Sequence, residues 1–299
     1  MYAGWHQVAF ERALEKEVTA AAIGSHSLVL VRRDDDVQAF DATCPHRGAH
    51  LGHGGRLDDD AIVCPFHGHR IVLGDKPDCF SVSARRTLAS AGLVFVLLDE
   101  RHENGLRAFM DELEASHWSV PGFSFHAPIA PRWVIENVFD AGHFHAVHEI
   151  DRRPEMTVDH SSTGHLVVRA EFETPGANAW QEQGDGGGAV RTRFVAHVFS
   201  PTLVATELGP PERPHVVVTA ATPDAQGGCE VRVSLMVPPA ADGSAPDPEE
   251  SLALMRDSRT AFEQDMAIWA HLDTEAPNRF CAGDEPVLEY RLFCERFEL

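Results

Sequence analysis

The chain is short of positive charge: 25 Lys and Arg stand against 46 Asp and Glu in 299 residues, a formal charge of −21. A protein that neutralises phosphates over a broad face needs the opposite sign, so nucleic acid is excluded as a partner. Long apolar runs are also missing. The longest, GLVFVLL at residues 92–98, is far below the roughly 20 residues that span a bilayer and reads as a buried strand. No basic segment followed by an apolar core opens the chain, so the expected compartment is the cytoplasm. No Gly-x-Gly-x-x-Gly opens a helix after a strand, so no flavin or nicotinamide site is visible. Cysteines are few: Cys44, Cys64, Cys79, Cys229, Cys281 and Cys294. A chain of this length buries a core without disulfide staples, and in a reducing compartment these residues read as thiols or metal ligands.

What is present falls into two textures. Residues 26–100 are short strand candidates cut by turns, among them SLVLVRR, VQAFDATC, AIVC and GLVFVLL, which predicts a small all-β module. From residue 106 the pattern predicts helices over 106–116 and 136–149, then strands in HLVVRAEF, VRTRFVAHVF, TLVATEL, HVVVTAA and CEVRVSLMV. The expected class is α+β, with an all-β domain over 1–105 and a second domain of antiparallel sheet and helices over 106–299. A last helix should start after Asp247, which suits the N-cap; Pro248 fits the first position, and Glu249 and Glu250 complement the dipole. It should run to about residue 271. TPGANAWQEQGDGGG, residues 174–188, reads as a mobile loop without phosphate-binding spacing.

Two constellations carry chemistry. Cys44-Pro-His46 and Cys64-Pro-Phe-His67 each offer one thiolate and one imidazole. A finger-type zinc site would pair cysteines in one half and histidines in the other. Mixed halves suit a Rieske [2Fe-2S] centre, in which Cys44 and Cys64 hold one iron and His46 and His67 the other. Zinc, or unliganded buried cysteines beside surface histidines, are the alternatives. Gly48, Gly52 and Gly68 permit close backbone approach, and His50, His53 and His69 are assigned no ligand role.

The second constellation is ENVFDAGHFHAVHE, residues 136–149. Glu136, Asp140 and His143 share one helical stripe. His148 lies about 140° from His143 on an ideal helix, and a one-residue π-bulge would bring both rings to one ion. By spacing alone, His145 with His148, three apart and on one face without distortion, is slightly preferred. A carboxylate must complete a two-histidine iron site. In the last helix Asp265 sits between Ala261, Phe262, Ile268 and Trp269, where desolvation is costly without a cation; Glu263 is the weaker candidate.

These motifs resemble the Rieske non-haem iron oxygenases over nearly the whole chain. CPHRGAHLGHG with CPFHGHRI is similar to their Rieske motif, and His69 departs from it where the family more often has Trp. ENVFDAGHFHAVH, FEQDMAIW and GDEPVLEYRLFCERF look closest to the branch of ketosteroid hydroxylases and sterol desaturases. The resemblance implies a helix-grip catalytic domain, with His143, His148 and Asp265 on a mononuclear Fe(II). It also implies Asp140 as the electron-transfer bridge to a cluster histidine, His67, of a neighbouring subunit in a homotrimer. Glu136, Asn137 and His145 are then residues around the iron or its pocket. The implied reaction uses O2 and electrons from NAD(P)H, passed through a reductase and a ferredoxin, to hydroxylate, demethylate or desaturate a hydrophobic small molecule. Monooxygenation is favoured over ring dihydroxylation by a dioxygenase. The rival reading is a Rieske electron-transfer protein whose second domain is no longer an oxygenase.

Overall fold

β-Branched and aromatic runs of the first hundred residues form ten strands: β1 (Trp5–Phe10), β2 (Val18–Ile23), β3 (His26–Arg33), β4 (Asp36–Asp41), β5 (Arg56–Asp58), β6 (Ala61–Val63), β7 (Arg70–Leu73), β8 (Ser81–Val82), β9 (Ala84–Ser90) and β10 (Leu93–Leu97). The structure is a computed structural model and describes residues 2–34, 36–77, 79–174 and 190–299. Six strands pair antiparallel in the order β1-β10-β9-β4-β3-β2; the other four form a smaller sheet, β5-β6-β7-β8, closed by a parallel pair.

The rest of the chain builds a seven-stranded antiparallel sheet from β11 (Trp118–Ala127), β12 (Thr157–His160), β13 (Leu166–Thr174), β14 (Val190–Ser200), β15 (Leu203–Gly209), β16 (His215–Pro223) and β17 (Cys229–Val237). Its order is β11-β17-β16-β15-β14-β13-β12. The helices are α1 (Leu106–Ser116), α2 (Pro131–Glu136), α3 (Ala141–Ala146), α4 (Pro248–Trp269) and α5 (Glu285–Glu295). The architecture is thus the expected one, an all-β module followed by an antiparallel sheet with helices.

Both faces of the large sheet are covered, and β16 shows how. Its residues from His215 to Thr222 are all buried, although successive side chains of a strand point to opposite faces. Val216, Val218 and Ala220 pack into one apolar cluster with Trp5, Phe95 and Leu97 of the first sheet and Leu106 and Met110 of α1. Val217 and Ala221 pack into the other, with Val134 and Ile135 of α2, Leu254 and Trp269 of α4, and Tyr290 and Phe293 of α5. The N-terminal all-β module therefore docks on one face, while α2, α4 and α5 lie on the other. Hydrogen bonds fasten the junction: Thr222 donates to the Gln7 carbonyl at 2.6 Å and Thr202 to that of Trp5 at 2.8 Å.

Asp247 caps α4 as expected, its side chain accepting from the Glu249 amide at 2.8 Å. Most of the loop predicted over 174–188 lies outside the described residues. β1, β2, β11, β12, α5 and all of α2 but its last residue carried no helix or strand expectation. The predicted single helix over 136–149 does not form, for a reason that belongs to the site below.

His6 in β1 is fully buried and donates from Nε2 to the Tyr2 carbonyl at 2.9 Å. Burial lowers its pKa to about 4. Between about pH 6.5, where an unfolded histidine titrates, and pH 4, only the unfolded chain takes up this proton, so stability is complete above that window and drains as pH falls through it. Urea midpoints measured across it should fall, and His6→Phe should remove about 3 kcal/mol of the total pH dependence.

Candidate metal centres

Two turns of the same design carry the cysteine and histidine pairs. In one, the Cys44 amide donates to the Ala49 carbonyl at 2.8 Å and the Gly48 amide to the Cys44 carbonyl at 2.9 Å; in the other, Cys64 donates to His69 at 2.9 Å and Gly68 to Cys64 at 3.0 Å. Gly48 and Gly68 have φ of +75° and +72°, a left-handed conformation that strains any residue with a Cβ. Their requirement is therefore backbone conformation, since nothing stands within 4 Å of a Cβ built on either; Gly52 is the one pressed by a neighbour, 2.6 Å from the Ala20 Cα.

Cys44 and Cys64 are both buried. Burial pushes the Cys44 thiol up. At Cys64 burial also acts upward, but the Phe66 amide, the Cys44 thiol and the His67 amide outweigh it, leaving the thiol below its usual value. The His46 and His67 rings stand 4.8 Å apart, and His69 packs 4.4 Å from His46. Ligands of one zinc ion lie within about 4.6 Å of each other, twice the longest Zn–ligand bond. Among the described residues only His143, His148 and Asp265 form a group of three whose ligand atoms meet within 4.8 Å. Among the described residues Cys44, His46, Cys64 and His67 do not form such a group.

The mononuclear constellation arises where a helix is interrupted. After α2 and a single 3-10 turn over Asn137–Phe139, Asp140 leaves helical space at φ −100°, ψ 95° and becomes the N-cap of α3. Its Oδ1 accepts from the Gly142 amide at 2.9 Å and the His143 amide at 3.0 Å, satisfying two of the donors a helix start leaves unpaired. The expected π-bulge is absent: α3 ends at Ala146, and Glu149 turns the chain at φ +57°. His148 thus sits beyond the helix, where it is free of helical spacing.

That turn brings His148 Nε2 to 2.9 Å from His143 Nε2, with the ring planes at 90°. Asp265 Oδ1, from α4, lies 3.1 Å from the first nitrogen and 3.5 Å from the second, yet this buried oxygen makes a hydrogen bond to neither. Three lone-pair-bearing atoms therefore converge on one point, an arrangement that a cation relieves. Two histidines and one carboxylate on one side of the point are the donor set of non-haem Fe(II) sites, so the residues fit that metal. Val134, Asn137, Val138, Phe144, Val204, Thr219 and Phe262 are among the walls of an adjoining cavity of about 120 Å³.

Asp265 is 5 % exposed and Trp269 4 %; of the apolar neighbours read from the sequence, Ile268 alone is exposed, at 53 %. Glu263 is exposed. Glu136 is not on a stripe with His143: it is buried and paired with Arg291 of α5 through contacts of 2.8 and 2.7 Å. Asn137 lines the cavity, and its Nδ2 is buried without a hydrogen-bond partner. His145 is exposed, bonds the Ile150 carbonyl at 2.6 Å and is not among the cavity-lining residues. Sequence reasoning missed Arg291, Thr219 and Gln264, the last 2.9 Å from His148 Nδ1; no spacing rule connects these positions across the chain. Glu136→Ala should strand the Arg291 guanidinium and cost about 2–3 kcal/mol in urea unfolding.

An all-β module with two matched Cys/His turns, joined to a helix-covered sheet holding two histidines and a carboxylate, has the plan of a Rieske non-haem iron oxygenase. Residues 4–91 match the Rieske [2Fe-2S] domain. The chain belongs to the family described as 3-ketosteroid 9alpha-hydroxylase C-terminal domain, whose model matches residues 106–297. A cholesterol 7-desaturase of Drosophila melanogaster is 41 % identical over 66 residues, 21 % of this chain and 15 % of the relative. A probable 3-ketosteroid-9-alpha-monooxygenase oxygenase component of Rhodococcus rhodochrous is 24 % identical over 98 % of this chain and 79 % of its own length. Among solved structures, dicamba monooxygenase bound to dicamba superposes with a TM-score of 0.73 at 18 % identity, covering 99 % of this chain and 96 % of that one. NdmA of Pseudomonas putida with caffeine gives 0.69 at 19 %, over 97 % and 89 %. At such identities the structural likeness establishes the fold.

Proposed function

We propose that this chain is the terminal oxygenase of a multicomponent system and oxidises a hydrophobic small molecule, a steroid or sterol being the first class to test. The observation that carries this reading is the meeting of His143, His148 and Asp265 beside an apolar cavity in a chain that also bears a Rieske domain. The names of the relatives direct attention to steroids. Fe(II) held by the three residues would activate O2, and the cluster held by Cys44, His46, Cys64 and His67 would supply electrons singly.

The protein's own share is positioning and exclusion. Asp140 holds the start of α3, and with it His143; Val134, Val138, Phe144, Val204 and Phe262 receive an apolar substrate next to the metal and keep water from it. Phe144 also packs 5.6 Å from Phe172 and 5.1 Å from Phe194. Those two rings line a larger groove of about 930 Å³, the proposed approach for substrate. Asp140 is the proposed bridge from the His67 of a neighbouring subunit, in a homotrimer fed by a separate reductase drawing on NAD(P)H. Residues 1–105 and 106–299 are the corresponding cluster and catalytic domains.

The test is oxygen uptake by the protein loaded with cluster and iron, with a surrogate ferredoxin and reductase, across 3-ketosteroids, sterols and methoxylated aromatic acids. Uptake coupled to one oxidised product supports the proposal. A cluster that is reduced and reoxidised with no substrate-dependent uptake across the panel would assign the chain to electron transfer instead.

A further inference from the structure

We infer that Gln264 is the positioning residue for His148, a role that deepens the mononuclear-site reading above and rests on it. His148 Nδ1 lies 2.9 Å from Gln264 Oε1, while His148 Nε2 faces His143 Nε2 and Asp265 Oδ1. A carboxamide oxygen can only accept, so this contact places the ring proton on Nδ1. The opposite nitrogen then presents its lone pair to the metal, the form an imidazole ligand must take. Were the amide turned, its NH2 would donate to Nδ1, the ring proton would move to Nε2, and the metal position would be blocked. Only the oxygen-toward-ring orientation is compatible with a ligand at His148.

His148 needs such a partner because the backbone does little for it. His143 lies inside α3, with its amide held by Asp140 at 3.0 Å. His148 follows the end of that helix and precedes Glu149 at φ +57°, so a contact from outside the segment must set its ring plane. α4 provides that contact. Adjacent helical residues point about 100° apart, which lets Asp265 face the metal position while Gln264 reaches the outer edge of the same histidine. One turn of α4 thus supplies a ligand and the group that orients another ligand, coupling the long helix to the loop after α3.

Gln264 is exposed, so replacing it leaves the core intact. The test uses cluster-loaded protein, dialysed without air against graded Fe(II), with iron counted beyond that of the cluster. The paramagnetic resonance of its nitric oxide adduct reports the ligand geometry. Gln264→Leu should weaken Fe(II) binding by about 10- to 100-fold and alter that signal, whereas Gln264→Glu, which keeps an acceptor, should retain wild-type affinity. Wild-type affinity and signal in Gln264→Leu, or equal losses in both variants, would overturn the inference. His143→Ala separates the two readings. Loss of the extra iron there, with Gln264→Leu unaffected, defeats the role of Gln264 alone; retention of that iron in His143→Ala defeats the site and this inference together.

Discussion

Asp265→Ala should leave the [2Fe-2S] cluster loaded, empty the mononuclear site of iron and reduce substrate-dependent oxygen uptake by more than about 100-fold. The figure is a lower bound, because loss of even an outer partner of a metal ligand costs about 10- to 100-fold. The variant also distinguishes a ligand from a structural carboxylate. Asp265 Oδ1 is buried without a hydrogen bond, so in the metal-free chain it is an unpaired buried polar atom that opposes folding. Stripped of mononuclear iron, Asp265→Ala should therefore unfold at the same or higher urea concentration than the parent chain. A marked loss of stability in that state would mean that the carboxylate holds the helices together rather than a metal.

Replacing Asp140 should have the second large effect, and the choice of substituent matters. Asp140 accepts two amide hydrogen bonds at the start of α3, so Asp140→Ala removes a cap worth about 1 kcal/mol along with the carboxylate. Asp140→Asn keeps a capping oxygen and removes only the charge. Both variants should retain both metals, and with the cluster reduced beforehand and substrate and O2 added, the cluster should stay reduced and turnover fall to background. Rapid reoxidation coupled to product in Asp140→Asn would show that electrons do not pass through this carboxylate. Normal behaviour of Asn with failure of Ala alone would assign Asp140 to capping.

The strands from β13 to β17 were readable because apolar side chains run through them in short blocks bounded by turn residues, and those blocks depend only on neighbours in sequence. The cap of α4 was readable for the same reason: Asp247, Pro248 and two glutamates satisfy a helix start locally. The segment 136–149 was not. Its spacing suggested one helix with a bulge, whereas Asp140 takes the capping role and splits it, a competition between side-chain and backbone hydrogen bonding that periodicity does not report. Ile268 misled in another way: three and four residues beyond Asp265, Ile268 and Trp269 flank it on opposite sides of the stripe, and only Trp269 meets the core. α5 escaped because much of its burial comes from α2 and the sheet, contacts remote in sequence.

The sequence alone determined which atoms are on offer: two Cys-Pro turns with a histidine each, three histidines within six residues, and a carboxylate among apolar neighbours. It also placed glycines at 48 and 68, which permit the left-handed turns found there, though the close backbone approach expected of them is not what those turns use. Spacing left His145 and His148 open and the family resemblance singled out His148; tertiary structure alone set the distances at which His148 meets His143 and Asp265, and decided that Glu136 serves Arg291 and that Gln264 addresses His148. Each of those pairings joins segments brought together by packing on a common sheet, and charge and geometry act through distance in space, which residue order does not encode.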